Sequence, residues 1–320
     1  MPAMWTYPWH LYREGLDDAF SHLSEYTIDA ISVASHYHSV RTMEPRFPES
    51  LFESYPGGSY FSPDPGRFAD TPINPLPNEV GDVDDPLAEI VSVASAHGMD
   101  VAGWTVCLHN TRLATEDPRF RIESAFGDVH NHAFCPSHEE VRTYFADVAA
   151  AVSSRGVDEV QLESVGFPGV FHDHGATYGH DKRQALTGDT EAVLLSQCFC
   201  DACRAAADNS VDMERAQQIV QRVLRSSFAT PHSDPPTLSA LVREHPELSD
   251  LFDFRADVVT DLFERIAAAV GSTSVNYYVM EQPGVEPGSG WPSGVILDRV
   301  DEHVDRMTAL CYDGDPTVAR

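Results

Sequence analysis

The chain has 320 residues, with 21 basic against 50 acidic side chains, a formal net charge of −29 and a pI near 4.6. Such a field repels polyphosphate and argues against nucleic acid as a partner, and no run of 18 apolar residues is present to span a membrane. Lys182 is the only lysine and the carboxylates are spread along the chain, which predicts a salt-adapted, halophilic surface; no basic-then-apolar leader is visible, which predicts a cytoplasmic protein.

Taken in order, "WTYPWHL" (5–11) reads as an aromatic strand limited by Pro8. Residues 16–26 carry Leu16, Ala19, Phe20 and Leu23 on one helix face, and 28–38 read as a buried strand. A Pro/Gly/aromatic loop follows from Ser39 to Asp84. Residues 85–99 predict a helix with Asp85 as N-cap, Pro86 at the first position and Gly98 at the end. Residues 100–110 form the next strand. Ser137 with Glu140 predicts a reciprocal capping pair opening another helix. A strand over 157–167, an amphipathic helix over 252–271 closed by glycine, and strands over 274–281 and 306–315 complete the pattern.

Alternating strands and helices predict a parallel α/β fold in one domain over 1–320, with insertions at about 39–84, 111–136, 166–200 and 282–297. Helix-to-strand links are tight, whereas strand-to-helix links are long and rich in His, Trp, Arg and Pro. That asymmetry favours a (β/α)8 TIM-type barrel over an open doubly wound sheet. Six strands are visible, so the expectation is a barrel incomplete at its C-terminal side. Neither a GxGxxG nor a Walker-type loop follows a strand, so no nucleotide cofactor is expected.

In such a barrel, residues at the strand C-termini share a pocket. They are His36, Tyr37 and His38 after the second strand; Trp104, His109 and Asn110 after the third; and Glu163 on the fourth. Asn276, Tyr278 and Glu281 follow on the fifth strand, and Asp313 on the sixth. Glu163 interrupts the apolar run "VQLESVGF", where a carboxylate must be paired, protonated or functional. A rim salt bridge is the plain alternative to an acid/base role. Glu281 and Asp313 are candidates for a second carboxylate. Trp104, Tyr37 and Tyr278 could stack on sugar faces, with His36, His38, His109, Asn110 and Asn276 hydrogen-bonding hydroxyls.

"CFCDAC" places Cys198, Cys200 and Cys203 at the start of a helical segment. Six cysteines are too few for a disulfide scaffold, and three closely spaced thiols supply three corners of a structural zinc site. The fourth ligand is open between Cys107, Cys135 and one of His172, His174 and His180. Three ordinary buried thiols are the competing reading.

The "CFCDAC" segment after a strand-four glutamate resembles the zinc motif of the β-galactosidases of glycoside hydrolase family forty-two. That resemblance implies a barrel with Cys198, Cys200, Cys203 and Cys107 holding structural zinc, and Glu163 as acid/base. More widely, "SHYHS", "YFSPDP", "GWTVCLHNTRL", "FCPSHEEVR" and "LES" resemble uncharacterised glycoside-hydrolase-like barrels of haloarchaeal type over residues 5–206. The pattern departs from the galactosidases in three places: Leu162 rather than Asn precedes Glu163, the cysteines stand further from the glutamate, and the strand seven that carries their nucleophile is not visible in this sequence.

The leading expectation is a glycoside hydrolase acting on a small saccharide, as a monomer or an oligomer. The alternatives are metal-dependent hydrolysis or isomerisation at a site built from His36, His38, His109 and His174, and a non-catalytic carbohydrate-binding barrel.

Overall fold

The computed structural model describes residues 2–171, 188–230, 236–280 and 289–310. Six parallel strands, β1 (Ala3–Thr6), β2 (Ala30–Tyr37), β3 (Asp100–Val106), β4 (Glu159–Glu163), β5 (Ser274–Val279) and β6 (Arg306–Ala309), lie side by side in chain order. Parallel neighbours in strict sequence order need a helical return between them, and the sheet curls into a half-barrel. Five helices pack around this sheet and position the site: α1 (Pro8–Glu14), α2 (Leu16–Glu25), α3 (Pro86–Ala96), α4 (Glu139–Ser153) and α5 (Pro246–Val270).

Period-two alternation decides what each face of the sheet carries. Val160 and Leu162 of β4 and Val275 and Tyr277 of β5 join the buried apolar core with Val141, Val148 and Val152 of α4 and Val259, Leu262 and Phe263 of α5. Gly103 of β3 lets α4 approach closely, since a Cβ there would lie 2.4 Å from Val152 Cγ1. The concave face is polar instead. Tyr278 Oη accepts from Trp5 Nε1 at 2.7 Å, meets Ser32 Oγ at 3.0 Å and donates to Gln161 Oε1. Asn276 Nδ2 donates to Glu159 Oε1 at 3.0 Å. Side chains of β1, β2, β4 and β5 thus meet across the hollow of the curled sheet.

Several local expectations need correction. The first strand ends at Thr6, because Pro8, fixed at a helical φ and lacking an N–H, opens α1 as its first residue. Asp85 does cap α3, accepting from the Ala88 N–H at 3.1 Å. Ser137 does not cap α4: the helix begins one residue later, after His138, and the Ser137 hydroxyl lies 3.2 Å from the Cys203 thiol. The insertion over 39–84 contains an antiparallel pair, Val40–Met43 with Phe52–Tyr55. A second antiparallel pair, Arg121–Glu123 with Val129–Phe134, occupies the insertion over 111–136.

Because the buried Tyr278 Oη joins Trp5, Ser32 and Gln161, removing it breaks three hydrogen bonds at once, although Gln161 Oε1 keeps its Ser32 donor. Tyr278→Phe is expected to lower unfolding free energy by about 1–3 kcal/mol in denaturant titration. The same change at Tyr26, which is 77% exposed, should leave the midpoint where it is.

Candidate functional site

β4 ends at Glu163, and the residue after it, Ser164, takes a left-handed φ of 56° as the chain turns away. Glu163 stands on the concave face above Gln161 and Glu159. Trp104, also facing inward from β3, donates its indole N–H to Glu163 Oε2 at 2.7 Å. Burial pushes the Glu163 carboxyl above its ordinary value, and the indole hydrogen bond opposes that only in part. A carboxylic acid that keeps its proton to higher pH can serve as a proton donor.

An aromatic wall adjoins it. Tyr37 packs edge-on to Trp104 with centroids 4.7 Å apart, Tyr7 reaches Tyr37 at 5.4 Å, and Tyr7 stacks on Trp9 at 4.5 Å. A row of imidazoles continues from Tyr37: His38 stacks on it at 4.2 Å, His109 on His38 at 5.0 Å, and His132 stands edge-on to His109 at 5.6 Å. His109, His132, Ser164, Phe167, Tyr277 and Met280 are among the residues that line a cleft of about 170 Å³ at this end of the sheet. A larger hollow of about 360 Å³ lies on the outer side of β1 against α1 and α2. Glu44 at its wall is already paired with Arg13, Thr42 and Tyr55.

The remaining candidates separate by placement. His36 faces the helical layer: its Nδ1 meets the Val106 carbonyl at 2.8 Å, its ring packs on Phe145, and burial drops its pKa to about 4. Strict alternation with Ser32 and Ala34 would point it inward, but a bulge between Ala34 and His36 turns Tyr37 inward instead. Asn110 caps the short helix Thr111–Glu116 and ties to the Tyr37 carbonyl at 3.1 Å. Asn276 and Tyr278 lie deeper, in the buried polar layer of the concave face. Glu281, Asp313, His172, His174 and His180 lie outside the described residues. Trp5, Gln161 and His132 are not among the residues that the sequence singles out; the alternation "EVQLE" holds the signal for Gln161.

The cysteines do come together, with one substitution in the expected set. Cys135, Cys198, Cys200 and Cys203 are all buried, and their sulfurs lie within 4.8 Å of one another. Cys135 Sγ is 3.5 Å from Cys203 Sγ and 3.7 Å from Cys200 Sγ. None of these cysteines is in a disulfide. Thiolates at about 2.3 Å from a tetrahedral ion stand about 3.8 Å apart, so the group can hold a metal ion. Cys107 is not part of it. Cys107 follows β3, donates its N–H to the Glu163 carbonyl at 2.8 Å, and its buried thiol lies 3.9 Å from the Thr105 carbonyl, with a pKa raised by burial and by the Glu163 charge.

Backbone pairing sets the four thiols. Cys135 follows the strand Val129–Phe134 and donates its N–H to the Phe120 carbonyl at 2.8 Å. Phe199 N–H donates to the Glu123 carbonyl at 2.8 Å, and Glu123 N–H points back at Cys198 Sγ at 3.4 Å. Cys200 precedes the helix Asp201–Ala207, which carries Cys203 one turn in. The neighbouring thiols, Cys135 foremost, pull the Cys200 pKa down, while burial holds Cys135 up.

Neither a protein-family profile nor a curated protein sequence matches the chain. Among solved structures, a β-galactosidase from the psychrophilic Marinomonas ef1 is similar at 14% identity and a TM-score of 0.52, over 98% of this chain and 41% of that one. An α-L-fucosidase from Paenibacillus thiaminolyticus is similar at 13% identity and a TM-score of 0.46, over 87% of this chain and 32% of that one. This chain therefore spans under half the length of either. The first likeness establishes a shared fold, a curled parallel α/β half-barrel. Among the described residues, no helix is long and apolar enough to cross a membrane.

Two outcomes follow from the site. Metal analysis by mass spectrometry should find an ion that disappears in Cys135→Ser and persists in Cys107→Ser. For Glu163, the folded chain binds the proton more tightly than the unfolded chain. Wild type should therefore lose stability relative to Glu163→Gln as pH rises from about 4 to about 7; parallel pH profiles in denaturant titration would contradict the raised pKa.

Proposed function

We propose that this protein hydrolyses a glycosidic bond in a small saccharide, with Glu163 as the proton donor. The observation that carries the reading is Glu163 itself, a carboxyl at the C-terminal end of a central half-barrel strand, half-buried and hydrogen-bonded by an indole. Trp104 N–H occupies Oε2, so Oε1 is the oxygen that would carry the proton toward the leaving-group oxygen. The likeness in fold to a β-galactosidase agrees with this reading.

Tyr37 and Trp104 are buried, and His38 covers the Tyr37 ring, so they back the site instead of stacking on a sugar; His38, His109 and His132 are the groups proposed for its hydroxyls. Glu281 or Asp313 is proposed as the second carboxylate. A partner about 5–5.5 Å from Glu163 would make the enzyme retaining, and one about 6.5–9.5 Å away inverting. For the four-cysteine group we propose structural zinc, held by Cys135, Cys198, Cys200 and Cys203. Bound there, zinc would supply fixed tetrahedral geometry to the chain segments rather than a reacting centre.

The test compares wild type with Glu163→Gln on a panel of aryl glycosides of graded leaving-group acidity. Loss of a proton donor should cut kcat about 10²–10⁴-fold on poor leaving groups, and much less on dinitrophenyl glycosides that need no proton. Equal turnover by the variant on the poor leaving groups would overturn the role.

A further inference from the structure

Arg255 of α5 is 2% exposed, in a chain carrying 50 acidic side chains, yet it has no carboxylate partner among the described residues. Its Nη1 donates to Gln197 Oε1 at 2.8 Å and reaches the Ser196 carbonyl at 3.4 Å, and its Nε has no acceptor among those residues. The Phe167 ring covers the guanidinium, with 3.9 Å from its central carbon to the ring centroid. A buried guanidinium normally needs an opposite charge nearby.

The charges that act on it are those of the cysteines and, as a like charge, of His130. Gln197, which holds Nη1, directly precedes Cys198. Burial lowers the Arg255 pKa to about 10, and the charges of Cys203, Cys198 and Cys135 act against that fall. Four thiolates around a divalent ion leave a net charge of minus two in a buried place. Among the described residues, nitrogens that meet the sulfurs directly include the Glu123 N–H at Cys198 and His138 Nε2, 3.8 Å from Cys200 Sγ.

We propose that Arg255 is the counter-charge of the metal–thiolate centre and, through its stacking on Phe167, ties that centre to the wall of the cleft beside Glu163. It is a positioning residue, outside the ligand set. Phe167 lines both the cleft and the adjoining hollow that Arg255 lines, so one guanidinium touches the loop after β4 and the segment leading into the cysteines. The inference rests on the four-cysteine metal reading. It differs from that reading in assigning the charge balance to a residue far along the chain, on α5.

The experiment is chelator competition and metal-exchange rate on purified wild type, Arg255→Lys and Arg255→Gln, with absorption spectra of the cobalt-substituted proteins. Neighbours that support metal ligands are worth about 10–100-fold in affinity. The glutamine variant should therefore lose metal at least about tenfold faster and shift the thiolate-to-cobalt charge-transfer band, while the lysine variant stays near wild type. A glutamine variant that cannot fold, beside a lysine variant that folds and keeps its metal, supports the charge role equally. Glutamine behaving as wild type would overturn the proposal, as would lysine failing alongside glutamine. Wild type that binds no metal at all would instead defeat the underlying metal reading, so the two failures are distinguishable.

Discussion

The meeting of Cys135 with Cys198, Cys200 and Cys203 is the junction on which the Glu163 end of this half-barrel depends. The insertion after β3 delivers one thiol and the segment beyond β4 delivers three. The two connections pack into the core through Ile122, Phe134, Leu194 and Phe199, and holding their ends together still costs closure entropy. Two backbone exchanges around Glu123 begin the joining. A tetrahedral ion would complete it with a free energy on the order of 10–16 kcal/mol, comparable to the whole stability of an ordinary domain. The loop leading from Glu163 toward the cysteines is then anchored at both ends, by β4 and by the thiols.

Above that anchor, the concave face is arranged in layers by strand alternation. Asn276 and Glu159 pair low in the hollow, Gln161, Ser32, Tyr278 and Trp5 meet in the middle, and Glu163 with Trp104 stands at the top. Buried polar groups that are all paired make a rigid floor. The carboxyl at the top has one indole donor, and desolvation favours its proton. A carboxyl whose pKa burial raises, standing on a fully paired polar layer, suits the proton-donor role proposed for Glu163. The histidine row and the aromatic wall lie on the β2 and β3 side of Glu163, and His109 and His132 of that row line the cleft.

Much of this is legible in the sequence. Strand order, the tight helix-to-strand links and the Asp85–Pro86 helix start arise from local patterns that tertiary packing does not override. Glu163 stands out because a carboxylate in "VQLESVGF" has no local reason to be there. His36 escapes such a reading because a bulge, which sequence alternation cannot signal, reverses the facing of one residue. Ser137 has the spacing of a helix cap, but the nearby sulfur of Cys203 competes for its hydroxyl. Spacing alone cannot choose Cys135 over Cys107. The two are separated by a β-hairpin whose pairing decides which thiol arrives, and that pairing is long-range.

X-ray absorption at the metal edge, on protein purified under reducing conditions, tests the four-thiol junction most directly. Four sulfur scatterers at about 2.3 Å, with no nitrogen or oxygen bound to the ion, are the expected result. A shell containing histidine nitrogen, or protein that carries no metal, would contradict the junction and with it the anchoring of the Glu163 loop.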